Sequence, residues 1–174
     1  TGQRVAYILP GEIGGANSIR PMIVAAQTGL PVIDADGMGR AFPELQMDTF
    51  SIAGVPSVPA VLASYSGHTV IFDHIDDAEA VERYARVVTI QMGGGAGLAM
   101  PVLTGAQAKA SAVPRTVSLA IAIGDAVLRA RAQHADPVDA ACRVAGGRRL
   151  FEGKIVDVQR RNEGGFARGV LYLE

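Results

Sequence analysis

Apolar positions along this chain come in short runs, and their period changes from one stretch to the next. "RVAYILP" (4–10) reads as a short buried strand stopped by Pro10 and Gly11. The glycine-rich loop "GEIGGANS" (11–18) follows. Asn17 or Ser18 is placed to cap a helix reaching about Gln27, with Pro21 tolerable in its first turn and Gly29 as its stop. "LPVIDAD" (30–36) is a second short strand, so the opening predicts a strand–helix–strand unit of the βαβ kind. "TFSIAGV" (49–55), "PAVLASY" (59–65) and "TVIFDHI" (69–75) read as three β-prone runs. From Asp76 or Asp77 the period becomes helical. Val81, Tyr84, Ala85, Val88 and Met92 share one face, and Glu79–Arg83 and Glu82–Arg86 pair at i,i+4 on the other. "GGGAG" (93–97) ends that helix. Further helices are predicted from Thr104, from about Thr116 to Gln133, and from an Asp136 N-cap through Pro137 to a Gly146 stop. The 116–133 segment is apolar almost all round until Arg129, which predicts burial.

From Arg148 the texture changes. "LFEGKIVDVQRR", the turn "NEGG" and "FARGVLYLE" read as a β-hairpin. A lone hairpin is marginally stable, so it either docks on the preceding part or opens an all-β domain. The expected fold is α/β: a mixed sheet with flanking helices over residues 1–147, then a hairpin at 148–174 that starts a β-rich second domain.

Composition narrows the function classes. Of 174 residues, 49% are apolar and 19% charged, enough apolar surface for a core and against wholesale disorder. Formal net charge is -1 and no basic block appears, so nucleic acid is not an expected partner. A single cysteine, Cys142, suits a reducing compartment, and no signal peptide or membrane-length apolar run is read. A cytoplasmic protein, not bound to a membrane, is expected.

The candidate chemistry lies in three glycine-rich stretches. "DADGMGRAFPELQM" (34–47) sits just past the second predicted strand, where α/β sheets place their ligand sites. It carries Asp34, Asp36, Arg40 and Glu44. With Glu12, these carboxylates can work as acid and base or hold a hard divalent ion through oxygen. The bland reading is that Asp and Gly build turns and Arg40 makes a surface ion pair. "GEIGGANS" can offer backbone N–H groups to an anion or carbonyl oxygen. It is neither a Walker loop nor GxGxxG, and Glu12 would repel a phosphate, so a neutral amide or imide fits better; a plain tight turn is the alternative. "MGGGAGLAMP" allows close backbone approach, or is a helix stop and linker. His68, His74 and His134 show no zinc-type spacing, Cys142 reads as a small core hydrophobe, and there is no GxSxG elbow.

Together "EIGGANS", "GLPVIDADGMGRAFPELQM", "GAQAKASAVPRTVSLAIAIG" and "FEGKIVDVQRRNEGGFARG" resemble the DUF917 family, also named for S-methyl-thiohydantoin desulfurase and described as hydantoinase-like. The resemblance implies an α/β N-terminal domain followed by a largely β C-terminal domain, in proteins longer than this chain at both ends. It implies hydrolysis at a five-membered cyclic imide or thioimidate, with water replacing a methylthio group to give a hydantoin and methanethiol. With that chemistry in view, residue type and position assign Asp36 as base or metal ligand, with Asp34 beside it and Glu12 or Glu44 as partner. Backbone N–H groups near Gly14 and Gly15, with Asn17 and Ser18, would hold ring carbonyls. Arg40 would bind a carboxylate tail of the substrate or neutralise the Asp pair. No cofactor is assigned; a divalent metal is compatible with the carboxylates. The expected partners are a small cyclic substrate and a second copy or a complementing chain. Two alternatives remain: a non-catalytic subunit that completes a site with another chain, and an amidohydrolase that opens the hydantoin ring.

Overall fold

The computed structural model describes residue 2, residues 4–163 and residues 166–174. The chain divides into two compact units, Thr1–Thr116 and Val117–Glu174. Helices and several small antiparallel sheets alternate, and the C-terminal part is β-rich.

In the first unit the two opening apolar runs meet in parallel, as the βαβ reading requires, but through one isolated bridge between Ile8 and Val32. Ile8 N–H donates to Pro31 C=O at 3.0 Å and Ile33 N–H to Ile8 C=O at 2.9 Å. Helix α1 (Ile19–Thr28) joins them and stops at Gly29, whose φ of 72° is the left-handed conformation that ends helices cheaply. Its expected N-cap is different. Ser18 is already in the right-handed helical region, and its hydroxyl donates back to Gly14 C=O, because the glycine-rich loop has wound a turn before the helix begins.

The second run then pairs elsewhere. Strand β1 (Ala35–Asp36) lies antiparallel to β5 (Val113–Pro114). A separate antiparallel sheet has the order β3-β2-β4, from β2 (Ala60–Ala63), β3 (Thr69–Phe72) and β4 (Gly97–Ala99). Small antiparallel sheets therefore stand where a mixed sheet was expected. The strand β4 emerges from the end of the glycine run read as a stop or linker. The run 49–55 is a correction of kind: it forms helix α2 (Thr49–Ile52), not a strand. Asp48 caps it, accepting Ser51 N–H at 2.6 Å, and Thr49 N–H is held by Gly37 C=O at 2.7 Å. A good cap and one tertiary bond outweigh the weak β-preference of Thr, Phe and Ile.

Helix α3 (Ala78–Gln91) starts at an Asp77 cap as expected. Its buried face is Ala80, Val81, Glu82 and Ala85, and Tyr84 is exposed instead of buried. Glu82 is the reason, as its contacts below show. Arg83 approaches Asp77 at 3.8 Å in place of the expected partner Glu79. Helix α4 (Gly105–Ser111) opens on a full capping box between Thr104 and Gln107. The core of this unit is small and centres on Phe50, Val81, Ala60, Leu62 and Pro10. Full burial of a side chain such as Phe50 is worth about 2–3 kcal/mol.

The second unit begins inside α5 (Thr116–Ala132). Its expected burial is partial: Val117 and Ala130 are buried, but Ile121 and Leu128 keep 62% and 66% of their surface. Apolarity on all sides specifies that a cover is favourable but not which element supplies it. Helix α6 (Pro137–Ala145) has the expected Asp136 cap, Pro137 start and Gly146 stop. The hairpin is β6 (Ile155–Glu163) against β7 (Phe166–Leu173), with an irregular register between Ile155 and Asp157. Its expected turn includes Gly164 and Gly165, which lie outside the described residues. Arg149 ties the start of α6 to the approach to β6, pairing with Asp136 at 2.5 Å, Glu152 at 2.7 Å and Asp139 at 3.1 Å.

Two predictions follow from this packing. A Cβ on Gly37 would stand 2.5 Å from the Phe50 ring and 2.8 Å from Gly11 C=O. Gly37→Ala should therefore cost about 1–3 kcal/mol in urea unfolding, as overpacking does, whereas Gly15→Ala, with open space around it, should change little. In the second unit, the Arg149 guanidinium, and after it the Asp139 N–H, hold the Asp136 carboxyl below its ordinary value of 3.8. A carboxylate lowered in the folded state contributes stability above its unfolded value and loses it as pH falls through the lowered one. Asp136→Asn, which keeps a capping side chain, should destabilise α6 at neutral pH. The gap to wild type should close below about pH 4 in a pH series of thermal unfolding.

Candidate functional site

The loops at 11–18 and 34–44 are brought together, and the agent is Asp36. Its side chain has no exposed surface. One oxygen, Oδ2, accepts N–H groups from Ile13 at 2.8 Å, Gly39 at 2.9 Å and Met38 at 3.2 Å, and Oδ1 accepts Gly39 N–H at 3.0 Å. Ile13 belongs to the first loop, Met38 and Gly39 to the second. A second strut runs from Gly37 N–H to Gly11 C=O at 2.9 Å. Gly39 donates to both oxygens, and its φ of 68°, a conformation costly for other residues, turns the following chain away from that donor. A buried carboxylate surrounded by backbone donors is a strong organiser, since each such bond is charge-assisted. The expectation of Asp36 as base thus meets a group whose oxygens are engaged and shielded from water.

Around that hub stand the other side chains of the two loops. Glu12 is half-buried. Its Oε1 accepts the Asn17 amide and its Oε2 accepts Phe42 N–H at 3.3 Å, so one carboxylate spans both loops. Gly14 faces Ala41 across the same seam, its would-be Cβ 3.9 Å from that methyl. Gly15 and Asn17 are exposed on the loop, while Ser18 is spent on Gly14 C=O. Arg40 is exposed, with its guanidinium 5.3 Å from the centre of the Phe42 ring. Asp34 is exposed at the start of the β1 segment, and its backbone carbonyl accepts Arg115 N–H at 2.7 Å.

Glu44 is not drawn into this group among the described residues. It accepts the Gln46 amide at 2.7 Å, two residues along the chain. What holds its neighbourhood is a pair that looked like surface decoration. Glu82 is buried, accepts Leu45 N–H at 3.0 Å and pairs with Arg86, whose guanidinium donates to Pro43 C=O at 2.8 Å. The signal was available in the spacing. Ala78, Val81, Glu82 and Ala85 form an i, i+3, i+4, i+7 stripe, and a glutamate in such a stripe is buried with a task. The glycine run 93–97 contributes near Tyr65: Gly95 touches the ring, and Arg20 both donates to the phenol oxygen at 2.6 Å and lies 5.8 Å from the ring centre.

Chemically, the two loops present a carboxylate with an amide beside it, backbone of the 14–15 turn, and an arginine next to an aromatic ring. This set can relay a proton and hold a polar ring. Among the described residues no three of His, Cys, Asp and Glu converge in a cluster able to hold a metal ion. No helix among them is long and apolar enough to cross a membrane.

Comparison with known proteins places the chain. Residues 1–74 match the model of the S-Me-THD-like N-terminal domain, and residues 75–174 that of the S-Me-THD-like C-terminal domain. No curated protein matches. A crystal structure of a protein from Chromobacterium violaceum is 31% identical and superposes with a TM-score of 0.74 over 98% of this chain. The chain spans 50% of that protein's length. With both domain models matched end to end, and the Asp36-centred loops lying in the first of them, the chain belongs to the S-Me-THD-like family.

Proposed function

We propose that this chain carries a hydrolytic site for a five-membered cyclic thioimidate, converting an S-methyl-thiohydantoin and water into a hydantoin and methanethiol. Family membership supports a desulfurase or hydrolase type of role. The observation that carries the finer reading is the half-buried Glu12 carboxylate, bridged to Asn17 and Phe42 N–H on two loops that Asp36 locks together.

The assignment follows from exposure and bonding. Glu12 takes a proton from water as its oxygen attacks the ring carbon that bears sulfur. The new C–O bond forms, the C–S bond breaks, and the departing methanethiolate takes a proton back from Glu12. Catalysis by such a positioned carboxylate is worth about 10²–10⁴-fold. Asn17 and the backbone at Gly14 and Gly15 hold the ring carbonyl oxygens, and Arg40 with Phe42 borders the ring. Asp36 positions both loops without touching substrate. Asp34 is the second exposed carboxylate. No cluster of metal-ligating side chains converges there among the described residues, and activity is to be measured with and without a divalent metal.

The test is thiol release from an S-methyl-thiohydantoin. Glu12→Gln should lower turnover by about 100-fold or more with little change in unfolding midpoint. Asp36→Asn should instead cost about 2–3 kcal/mol of stability, because an amide brings donors to face backbone donors. A stable Asp36→Asn protein that had lost all turnover would return the base role to Asp36. A carbamoyl amino acid formed from hydantoin, with no thiol released, would replace desulfuration by ring opening.

A further inference from the structure

Arg115 is a bulky, non-glycine residue held at φ 66°, in the left-handed region. His134 shares that conformation, but just past the end of α5, where helices commonly terminate that way. Arg115 has no such excuse: it stands between β5 and the start of α5, where a glycine would serve the backbone without strain. Strain of this kind, kept by an otherwise well-bonded framework, gathers at functional sites. The framework here is specific. Arg115 N–H is fixed by Asp34 C=O at 2.7 Å, and the two residues before it pair with Asp36 and Ala35. Gly39, whose would-be Cβ lies 3.4 Å from the Val113 side chain, joins the 37–40 turn to the same strand.

Arg115 is therefore two residues beyond Val113, and Arg40 one residue beyond the glycine that packs on Val113. Both side chains are exposed. Neither forms an ion pair among the described residues. Two arginines without carboxylate partners among the described residues, one of them carried on strained backbone, lie on the segments joined to the turn that Asp36 organises. Guanidinium groups in such a place match a carboxylate through paired hydrogen bonds.

We propose that Arg115, together with Arg40, forms an anion subsite that selects cyclic substrates bearing a carboxylate on the ring's side chain. The inference rests on the cyclic-imide reading above and adds the substrate class. Arg115 is a specificity residue, and its backbone is fixed beside the Asp36 turn through Asp34 C=O.

Binding of hydantoin-5-acetate, 5-methylhydantoin and succinate to the intact chain, measured by calorimetry, separates the two ideas. Hydantoin-5-acetate should bind about tenfold or more tightly than 5-methylhydantoin, the worth of one charge-assisted bond. Arg115→Gly should abolish that preference while its melting temperature stays level or rises, since glycine relieves the strain. Arg115→Lys should retain part of the preference. Equal binding of acid and neutral hydantoins by wild type would overturn the subsite and leave the imide reading standing. Succinate binding lost in Arg115→Gly, with neither hydantoin bound above it, would support the subsite and overturn the imide reading. A lowered melting temperature in Arg115→Gly with the acid preference intact would make Arg115 structural and overturn the proposal.

Discussion

One buried carboxylate organises this site. Asp36 has no contact with water, and its charge is tolerable because backbone N–H groups from Ile13, Met38 and Gly39 fill its lone pairs. The geometry imposes requirements on its neighbours. Gly39 must carry the chain on at positive φ after donating its N–H, and Gly37 must let the Phe50 ring and the Gly11 carbonyl approach within a side chain's thickness. Gly37 then holds Thr49 N–H through its own carbonyl, so the polar hub and the apolar centre at Phe50 are fixed by the same residue. The alternation of Asp and Gly in "DADGMG" is the sequence record of that joint.

The parts of the fold legible in the sequence are those whose causes are local. Helices α3, α4 and α6 announce themselves by caps at Asp77, Thr104 and Asp136, and the hairpin by alternation on either side of a glycine pair. Features set by distant partners were not legible. Residues 49–52 turn helical because Asp48 caps them and Gly37 anchors them. The β1 segment looked like the continuation of a parallel strand, yet it pairs with residues nearly eighty positions on. The apolar girth of α5 suggested burial, but hydropathy names no covering surface, and Ile121 and Leu128 stay exposed.

The candidate site divides in the same way. The meeting of the 11–18 and 34–44 loops was implied by their places after two successive strands, and Glu12, Asn17 and Arg40 do share a neighbourhood. Residue type alone could not separate Asp36 from Glu12, because both are carboxylates in glycine-rich turns. Arg115 carried no sequence mark at all, since an arginine gives no sign that its φ is positive. Glu82 did carry one, its position in an apolar stripe, which pairing rules for exposed helices obscure.

The contrast between the two carboxylates argues for a division of labour. Asp36 is fully buried, and three backbone N–H donors drawn from both loops hold its carboxylate in place. A residue that is indispensable to loop geometry in its charged form is poorly suited to change charge during each turnover. Glu12 is bound more loosely, by one side-chain amide and a 3.3 Å backbone contact, and it retains access to solvent. On the proposed reading Glu12 is the carboxylate that meets water and substrate, while Asp36 keeps the loops in register. On that proposal pre-organisation and proton transfer fall to different residues, which is how a site can stay rigid while its chemistry cycles.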